Sequence, residues 1–480
     1  MRYTGRRIAR IAGFALTLMV SFGCRAGAAA DLSVDFSRVV GEIRPLHGGN
    51  CGPIQFGELV DVSAYHRELG IPYTRLHDCH WPRPDIVDMH AVFPDPKADP
   101  GLAASYDFPR TDDYIQAIVN TGSKIVYRLG ESIEHTKKKY YVHPPKDYEK
   151  WAGACVGIIR HYNEGWADGF RHDIQYWEIW NEPENRPAMW SGSDEDYLRL
   201  YEAASKAIKG RFPKLKVGGP SFGYYGKIEG GRFVPSEFMV KFLEQCRTKS
   251  LPLDFFSWHL YSDDPYECVR RARGIREVLD RYGFKATEMH FNEWNYLPNN
   301  DWMPMLRQGQ GAPRERFYEQ IGGSAGAAFS ACTLIYLQDS PVTVANYYTA
   351  DAQGFGLFST HGSPKTSFHA FKAFRILLDT PLRVEAGGGE VGRLAICAGL
   401  NRDKNCAGIL IANHRSAREK TGLSLSGIPW TTATSAEFLL VDSKHQLASV
   451  RKERLAAGSA KPKLELEAPA VMFIRLRQGE

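Results

Sequence analysis

The chain has 480 residues, 43% hydrophobic and 24% charged, with 60 Lys and Arg against 55 Asp and Glu. That composition supports a large globular core and excludes a disordered or fibrous chain, and nine cysteines over this length are too sparse for a disulfide scaffold. Five arginines in the first thirty residues account for the whole positive excess, so the rest is charge-balanced and gives no support for binding nucleic acid or a membrane surface.

Arg2, Arg6, Arg7 and Arg10 precede an apolar run from Ile11 to Phe22, and Ala28-Ala29-Ala30 offers small residues before Asp31. The run is too short to cross a bilayer, so residues 1–30 read as a secretory signal and predict a secreted or periplasmic protein with no membrane span. Two readings stay open beside it. One is an uncleaved N-terminal anchor. The other is a lipid anchor on Cys24, since Ser21-Phe22-Gly23-Cys24 resembles a bacterial lipoprotein box with Ser21 in the usual aliphatic place.

Residues 31–40 alternate and predict a strand that joins a β domain. From 41 to 380, short apolar stretches alternate with amphipathic ones, the pattern of repeated βα units. Strands are expected at 44–49, 73–78, 124–129, 174–180, 216–220, 255–260, 287–292 and 333–338. Helices are expected at 193–212, with a Ser-Asp-Glu-Asp cap and Tyr197, Leu200, Tyr201, Ala204 and Ile208 on one face, and at 264–282 and 367–378. Eight repeats favour a closed (β/α)8 TIM barrel over an open doubly wound sheet. No Gly-x-Gly-x-x-Gly follows the first strand, and no cofactor is expected. After 380 the helical pattern stops. Strands expected at 391–397, 406–413, 421–425, 436–441, 463–467 and 471–476 make 381–480 a β-sandwich accessory domain. Cys397 and Cys406 flank a hairpin loop, as a bridge or as two separate buried thiols.

The most informative segment is Tyr176-Trp177-Glu178-Ile179-Trp180-Asn181-Glu182-Pro183. A strand runs into a polar Asn-Glu pair and ends at proline, which puts Asn181 and Glu182 at the C-terminal mouth, where barrels keep their chemistry. Tryptophans beside the carboxyl offer a low-dielectric wall of the kind that raises a general acid's pKa. Phe291-Asn292-Glu293-Trp294 repeats the theme at the expected seventh strand. Two carboxyls on strands four and seven can converge at one mouth, and a pair ~5 Å apart serves retaining glycoside hydrolysis. Glu288, nearer the start of that strand, is a weaker rival.

Trp-Glu-Ile-Trp-Asn-Glu-Pro with the later Asn-Glu-Trp resembles the clan A glycoside hydrolases. Together with Arg75-Leu76-His77-Asp78, Trp258-His259-Leu260-Tyr261 and the trailing β domain, the chain most resembles glycoside hydrolase family 39, which includes β-xylosidases and α-L-iduronidases. The resemblance implies Glu182 as acid/base and Glu293 as nucleophile, with Asn181 on the sugar 2-hydroxyl. It implies further that Arg75 holds the nucleophile ionised, that His259 and Tyr261 orient that carboxylate or bind hydroxyls, and that His77 and Asp78 line the terminal-sugar subsite; Trp294 is a further substrate-binding candidate, as an aromatic platform. A β-xylosidase-like activity on an oligosaccharide or polysaccharide comes first, an iduronidase-like or other exo- or endo-glycosidase activity second. A non-catalytic carbohydrate-binding barrel and a transglycosylase are the other classes.

Plainer readings accompany each residue. Glu182 can be a helix cap, Arg75 a structural ion pair and His259 a core histidine. Among the aromatics near strand ends, Trp81, Trp180, Trp258, Trp294, Trp302, Tyr347 and Tyr348 can each be packing or sugar platform. No tryptophan follows Trp302 before Trp430, so Tyr347 or Phe355 would stand in on the eighth strand. His77, Asp78, Cys79 and His80 alternate sides of an extended strand and cannot all converge on one ion, so no metal is expected. Lys137-Lys138-Lys139, beside Glu134 and His135, reads either as a lure for an acidic sugar or as a solvated loop.

Overall fold

The computed structural model describes residues 31–55, 59–79, 85–306, 309–418 and 420–479. The expected signal at 1–30 with Cys24, and His80 and Trp81, lie outside the described residues.

Eight parallel strands close into a barrel in chain order: β1 Gly48–Asn50, β2 Tyr73–Arg75, β3 Lys124–Leu129, β4 Tyr176–Ile179, β5 Lys216–Phe222, β6 Phe255–Ser262, β7 Glu288–Tyr296 and β8 Val344–Tyr347. This is the (β/α)8 barrel expected. Side chains alternate between lumen and helix layer. On β4, Trp177 and Ile179 join the outer core, Trp177 stacking on Tyr127 at 5.0 Å, while Glu178 between them meets Arg75 of β2. Val126, Tyr176 and Phe255 form a small apolar cluster with Tyr73 low on the strands. The helix Asp194–Arg211 begins at the expected cap as a full capping box, the Asp196 N–H donating to Ser193 Oγ (3.1 Å) and the Ser193 N–H to Asp196 Oδ2 (3.0 Å).

One expected element is corrected. Residues 333–338 are not the eighth strand but the end of an α-helix, Ser324–Leu337, and the strand itself follows at Val344–Tyr347. The helix is wedged between the barrel and the C-terminal sheet and is buried almost all round. It therefore has no polar face, and its apolar run carries no 3.6-residue period by which to tell it from a buried strand.

The C-terminal region is a nine-stranded sheet folded over its own core. Its N-terminal strand, Leu32–Glu42, lies between Leu382–Gly387, antiparallel, and Lys420–Ser426, parallel. Alternate residues of the central strands serve two cores. Ile409, Ile411, Met472 and Ile474 face the sheet's own core with Val34, Phe36 and Trp430. Leu410, Ala412, Val471 and Phe473 face the barrel helices. Two strands escaped the sequence reading: Leu382–Gly387, and Gln446–Leu455, an outer strand rich in Lys, Arg and Glu that shows no buried face. Cys397 pairs in register with Leu410 and Cys406 with Arg477, and both are free thiols. Among the described residues no helix is long and apolar enough to cross a membrane.

Phe473 is 1% exposed at the barrel–sheet boundary. Phe473→Ala is expected to cost about 3–5 kcal/mol and to lower the urea midpoint of one cooperative transition; separate barrel and sheet transitions in the unmutated chain would show that the two do not share this core.

Candidate active site

The site is organised around Arg75, which is fully buried at the end of β2. Its Nε donates to Glu178 Oε2 (2.7 Å), one terminal nitrogen to Asn50 Oδ1 (3.1 Å) and Glu293 Oε2 (3.3 Å), the other to Asn181 Oδ1 (2.5 Å) and Ser221 Oγ (2.8 Å). All five guanidinium N–H groups are used. Because arginine can only donate, the bond to Asn181 fixes that amide with Oδ1 inward and leaves Nδ2 as the donor for a ligand. Asn292 donates to Glu178 and to Ser221 Oγ (3.1 Å), closing the network.

Glu293 and Glu182 face each other across the mouth, with His259 between them. A carboxyl oxygen of each and a ring nitrogen of His259 all lie within 4.8 Å of one another. Tyr261 Oη donates to Glu293 Oε1 (2.5 Å). His259 meets Glu182 Oε1 through Nδ1 (2.8 Å) and Ser221 Oγ through Nε2 (2.7 Å), and Asn185 donates to Glu182 Oε2 (2.9 Å). His259 and Tyr261 sit two apart on β6 and so share the lumen side. On β7 the register slips: Trp258 pairs with Phe291 but His259 with Glu293, so Asn292 is an extra residue. This bulge lets Asn292 reach the Arg75 network while Glu293 still faces the mouth.

Several residues at the mouth hold left-handed backbone without being glycine: Asp78 (φ 51°), Trp180 (φ 72°), Glu182 (φ 42°) and Ser221 (φ 61°). Each such residue costs on the order of 1–3 kcal/mol and persists only where its surroundings over-determine it. Gly130 makes one of these conformations possible, since a Cβ there would lie 2.8 Å from the Trp180 ring.

Burial pushes both carboxyls up. The His259 and Asn185 contacts bring Glu182 below the usual glutamate range, whereas Glu293, facing the charge on Glu182, stays above it. Glu184, buried beside Glu182, is pushed up to about 8.

The structure therefore gathers Arg75, Asn181, Glu182, His259, Tyr261 and Glu293 within one network. Asp78 stands next to it, accepting from Tyr348 Oη (3.0 Å) and the Ile133 N–H (3.2 Å), with His77 Nε2 3.4 Å away. Trp294 is placed elsewhere: it is 1% exposed and packs outside the lumen against Tyr347 and Phe371. Period-two alternation explains this, because its neighbour Glu293 points in. Nor do Trp177 and Trp180 wall the acid; Trp180 packs against Trp190 and Trp151. Tyr347 is fully buried and packs with Trp294 and Phe371 outside the lumen. Glu288 sits away from the mouth near the start of β7, paired with Lys216 and accepting from Tyr176 Oη (2.8 Å). Glu178, Asn50, Ser221 and Asn292 were missed, and Tyr348, expected as packing or a sugar platform, instead donates to Asp78. The available signal was a polar residue at an inward position of an otherwise apolar strand, most plainly Glu178 between Trp177 and Ile179.

Among the described residues, two clusters have three potential metal ligands within 4.8 Å: Glu182, His259 and Glu293, and Asp88, His90 and Glu131. Each already holds an arginine, Arg75 on Glu293 and Arg128 on Asp88, which supplies the positive charge a cation would bring.

Replacing Arg75 by methionine leaves Glu178 buried without its counter-charge and frees the Asn181 amide. A loss of about 3–5 kcal/mol in unfolding free energy is expected, larger than the loss for Arg75→Met in a Glu178→Gln background; equal losses in the two backgrounds would show that the ion pair is not what Arg75 contributes.

Residues 58–416 match the profile of Glycosyl hydrolases family 39. A β-xylosidase of Geobacillus stearothermophilus is 29% identical over 262 residues, 50% of this chain and 48% of that protein. One of Caldicellulosiruptor saccharolyticus is 26% identical over 355 residues, 66% and 64% respectively. The matched stretches thus span about half to two thirds of these relatives. Among solved structures, a glucosidase from Croceicoccus marinus aligns with 25% identity and a TM-score of 0.77, covering 94% of this chain and 99% of that one. A monomeric β-xylosidase from Caulobacter crescentus CB15, at 17% identity and TM-score 0.69 over 94% and 100%, shares the fold. The match runs through the strands that carry Arg75, Asn181, Glu182, His259 and Glu293, and the chain belongs to glycosyl hydrolases family 39.

Proposed function

We propose that the protein is a retaining β-glycosidase that removes a terminal sugar by double displacement, with a β-xyloside as first substrate. The observation that carries the reading is the spacing of the carboxyl pair: oxygens within 4.8 Å leave no room for the water an inverting enzyme places between them. In the first step a Glu293 oxygen attacks the anomeric carbon, the glycosidic C–O bond breaks, and the proton of Glu182 passes to the leaving oxygen. In the second, Glu182 takes a proton from water, the water oxygen displaces Glu293 from the anomeric carbon, and the carboxylate is restored. The Nδ2 of Asn181 donates to the 2-hydroxyl, where charge development strengthens the contact.

Each of the two facing carboxyls disfavours ionisation of the other. As the side chains stand, His259 and Asn185 draw the negative charge onto Glu182. A leaving-group oxygen taking a place at Glu182 would return the proton there and leave the charge on Glu293, where Arg75 and Tyr261 receive it. The two curated β-xylosidases support xylose. The glucosidase, matched over nearly its whole length, supports glucose as the second sugar. We place the reaction outside the cytoplasm on the leader pattern of residues 1–30.

Glu293→Ala is expected to abolish turnover of aryl β-xyloside, with azide restoring part of it as the α-glycosyl azide; undiminished turnover would overturn the assignment. Tyr261→Phe removes a donor that stabilises ionised Glu293, so its pKa rises further. The acidic limb of kcat/KM should move up by about one pH unit, whereas a limb that stays put or moves down would mean that Glu293 is not the group titrating there.

A further inference from the structure

Behind the mouth lies a second cavity of about 500 Å³, lined by none of the residues of the carboxyl pair's network. Trp180 forms one wall, with Trp151, Phe93, Tyr140 and Tyr141 around it. Lys97, Lys146 and Lys150 also line it. This is the composition of a built ligand site, with apolar and aromatic faces and a few converging polar groups.

Its walls are held in place. Glu134 accepts the N–H groups of Tyr140 (2.8 Å), Tyr141 (2.5 Å) and Val142 (3.1 Å), and Lys139 Nζ donates to the Thr136 carbonyl (2.6 Å), so the basic loop after β3 is tied down. Tyr141 stacks face to face on His90 at 3.6 Å. His90 in turn contacts Glu131 through its backbone N–H (3.1 Å) and Nδ1 (2.5 Å), which puts a buried carboxyl–imidazole pair at the cavity's edge. Beneath, Arg128 and Ser132 both bond Asp88.

The charges lean one way. Burial pushes Glu131 up to about 7, and His90 is raised by its contact with Glu131 despite burial. Asp147 caps the helix Tyr148–Glu164 by accepting the Lys150 N–H (2.9 Å). Among the lining side chains the three lysines outnumber the Asp147 and Glu131 carboxyls, and Asp147 itself offsets the positive end of that helix.

We propose that this cavity binds a pyranose ring bearing a carboxylate, an acidic sugar, with its C–H face on the aromatic wall, its carboxylate toward Lys97 and Lys146, and its hydroxyls on the Glu131–His90 pair. Aromatic rings favour the C–H face of a pyranose, and the lysines select a uronate over its neutral counterpart. The site is separate from the carboxyl pair, so its test does not depend on which glycoside is cleaved.

Calorimetric titration of the full chain at low salt with methyl β-glucuronide is expected to show saturable binding, at least about tenfold tighter than methyl β-xyloside and weakened by 0.5 M salt. Lys97→Ala with Lys146→Ala should weaken glucuronide binding about tenfold or more, and Tyr141→Ala should weaken it independently. The thermal midpoint of the lysine variant and the aryl-glycoside turnover of both variants should be unchanged. No saturable binding, equal binding of the two sugars, or glucuronide affinity untouched by the lysine pair would each overturn the proposal.

Discussion

The site depends on one guanidinium. Arg75 spends its five N–H groups on partners from four other strand ends: Asn50 at β1, Glu178 and Asn181 at β4, Ser221 at β5 and Glu293 at β7. A charge with no exposure survives only when paired and fully hydrogen-bonded, and Glu178 and Glu293 provide that pairing. The same contacts orient the Asn181 amide, hold Ser221 against His259 and keep a positive charge beside Glu293. Charge balance and geometry are here one requirement, because removing any partner leaves a buried donor or acceptor behind.

Around that centre the backbone departs from ideal form where chemistry is placed. Left-handed residues at 78, 180, 182 and 221 and the bulge at Asn292 each re-aim a side chain that regular geometry would send elsewhere. Such local costs are tolerated because the frame is large. The barrel's outer core continues without a break through the helix Ser324–Leu337 into one face of the C-terminal sheet. The sheet is thus part of what holds the barrel's eighth strand and its neighbours in register, not an appendage.

Much of this was legible in the sequence for physical reasons. The Asn181-Glu182-Pro183 and Asn292-Glu293 pairs ended apolar strands, so their place at the mouth followed from the barrel. The Ser193 cap was readable because it uses only neighbours in sequence. What could not be read were features set by distant partners. The helix at 324–337 lacks a polar face because a sheet more than fifty residues later covers it. Trp294, an aromatic near a strand end, is expected as a sugar platform, though alternation turns it outward. Glu178 passed as part of an apolar strand, since nothing local shows that Arg75 waits across the lumen. The edge strand 446–455 is charged because edges must resist pairing, and that same charge hides it.

The strand Leu32–Glu42, near the start of the chain, is completed by Leu382–Gly387 on one side and Lys420–Ser426 on the other. A growing chain therefore cannot pair this strand until residues 382–426 have been made. Through most of synthesis that strand keeps both edges open, and the all-apolar helix before β8 has no sheet to cover it. These distant segments must find each other before either is shielded. Folding of this sheet waits on residues far along the chain, and products that stop before them are expected to be the species that chaperones hold or proteases remove.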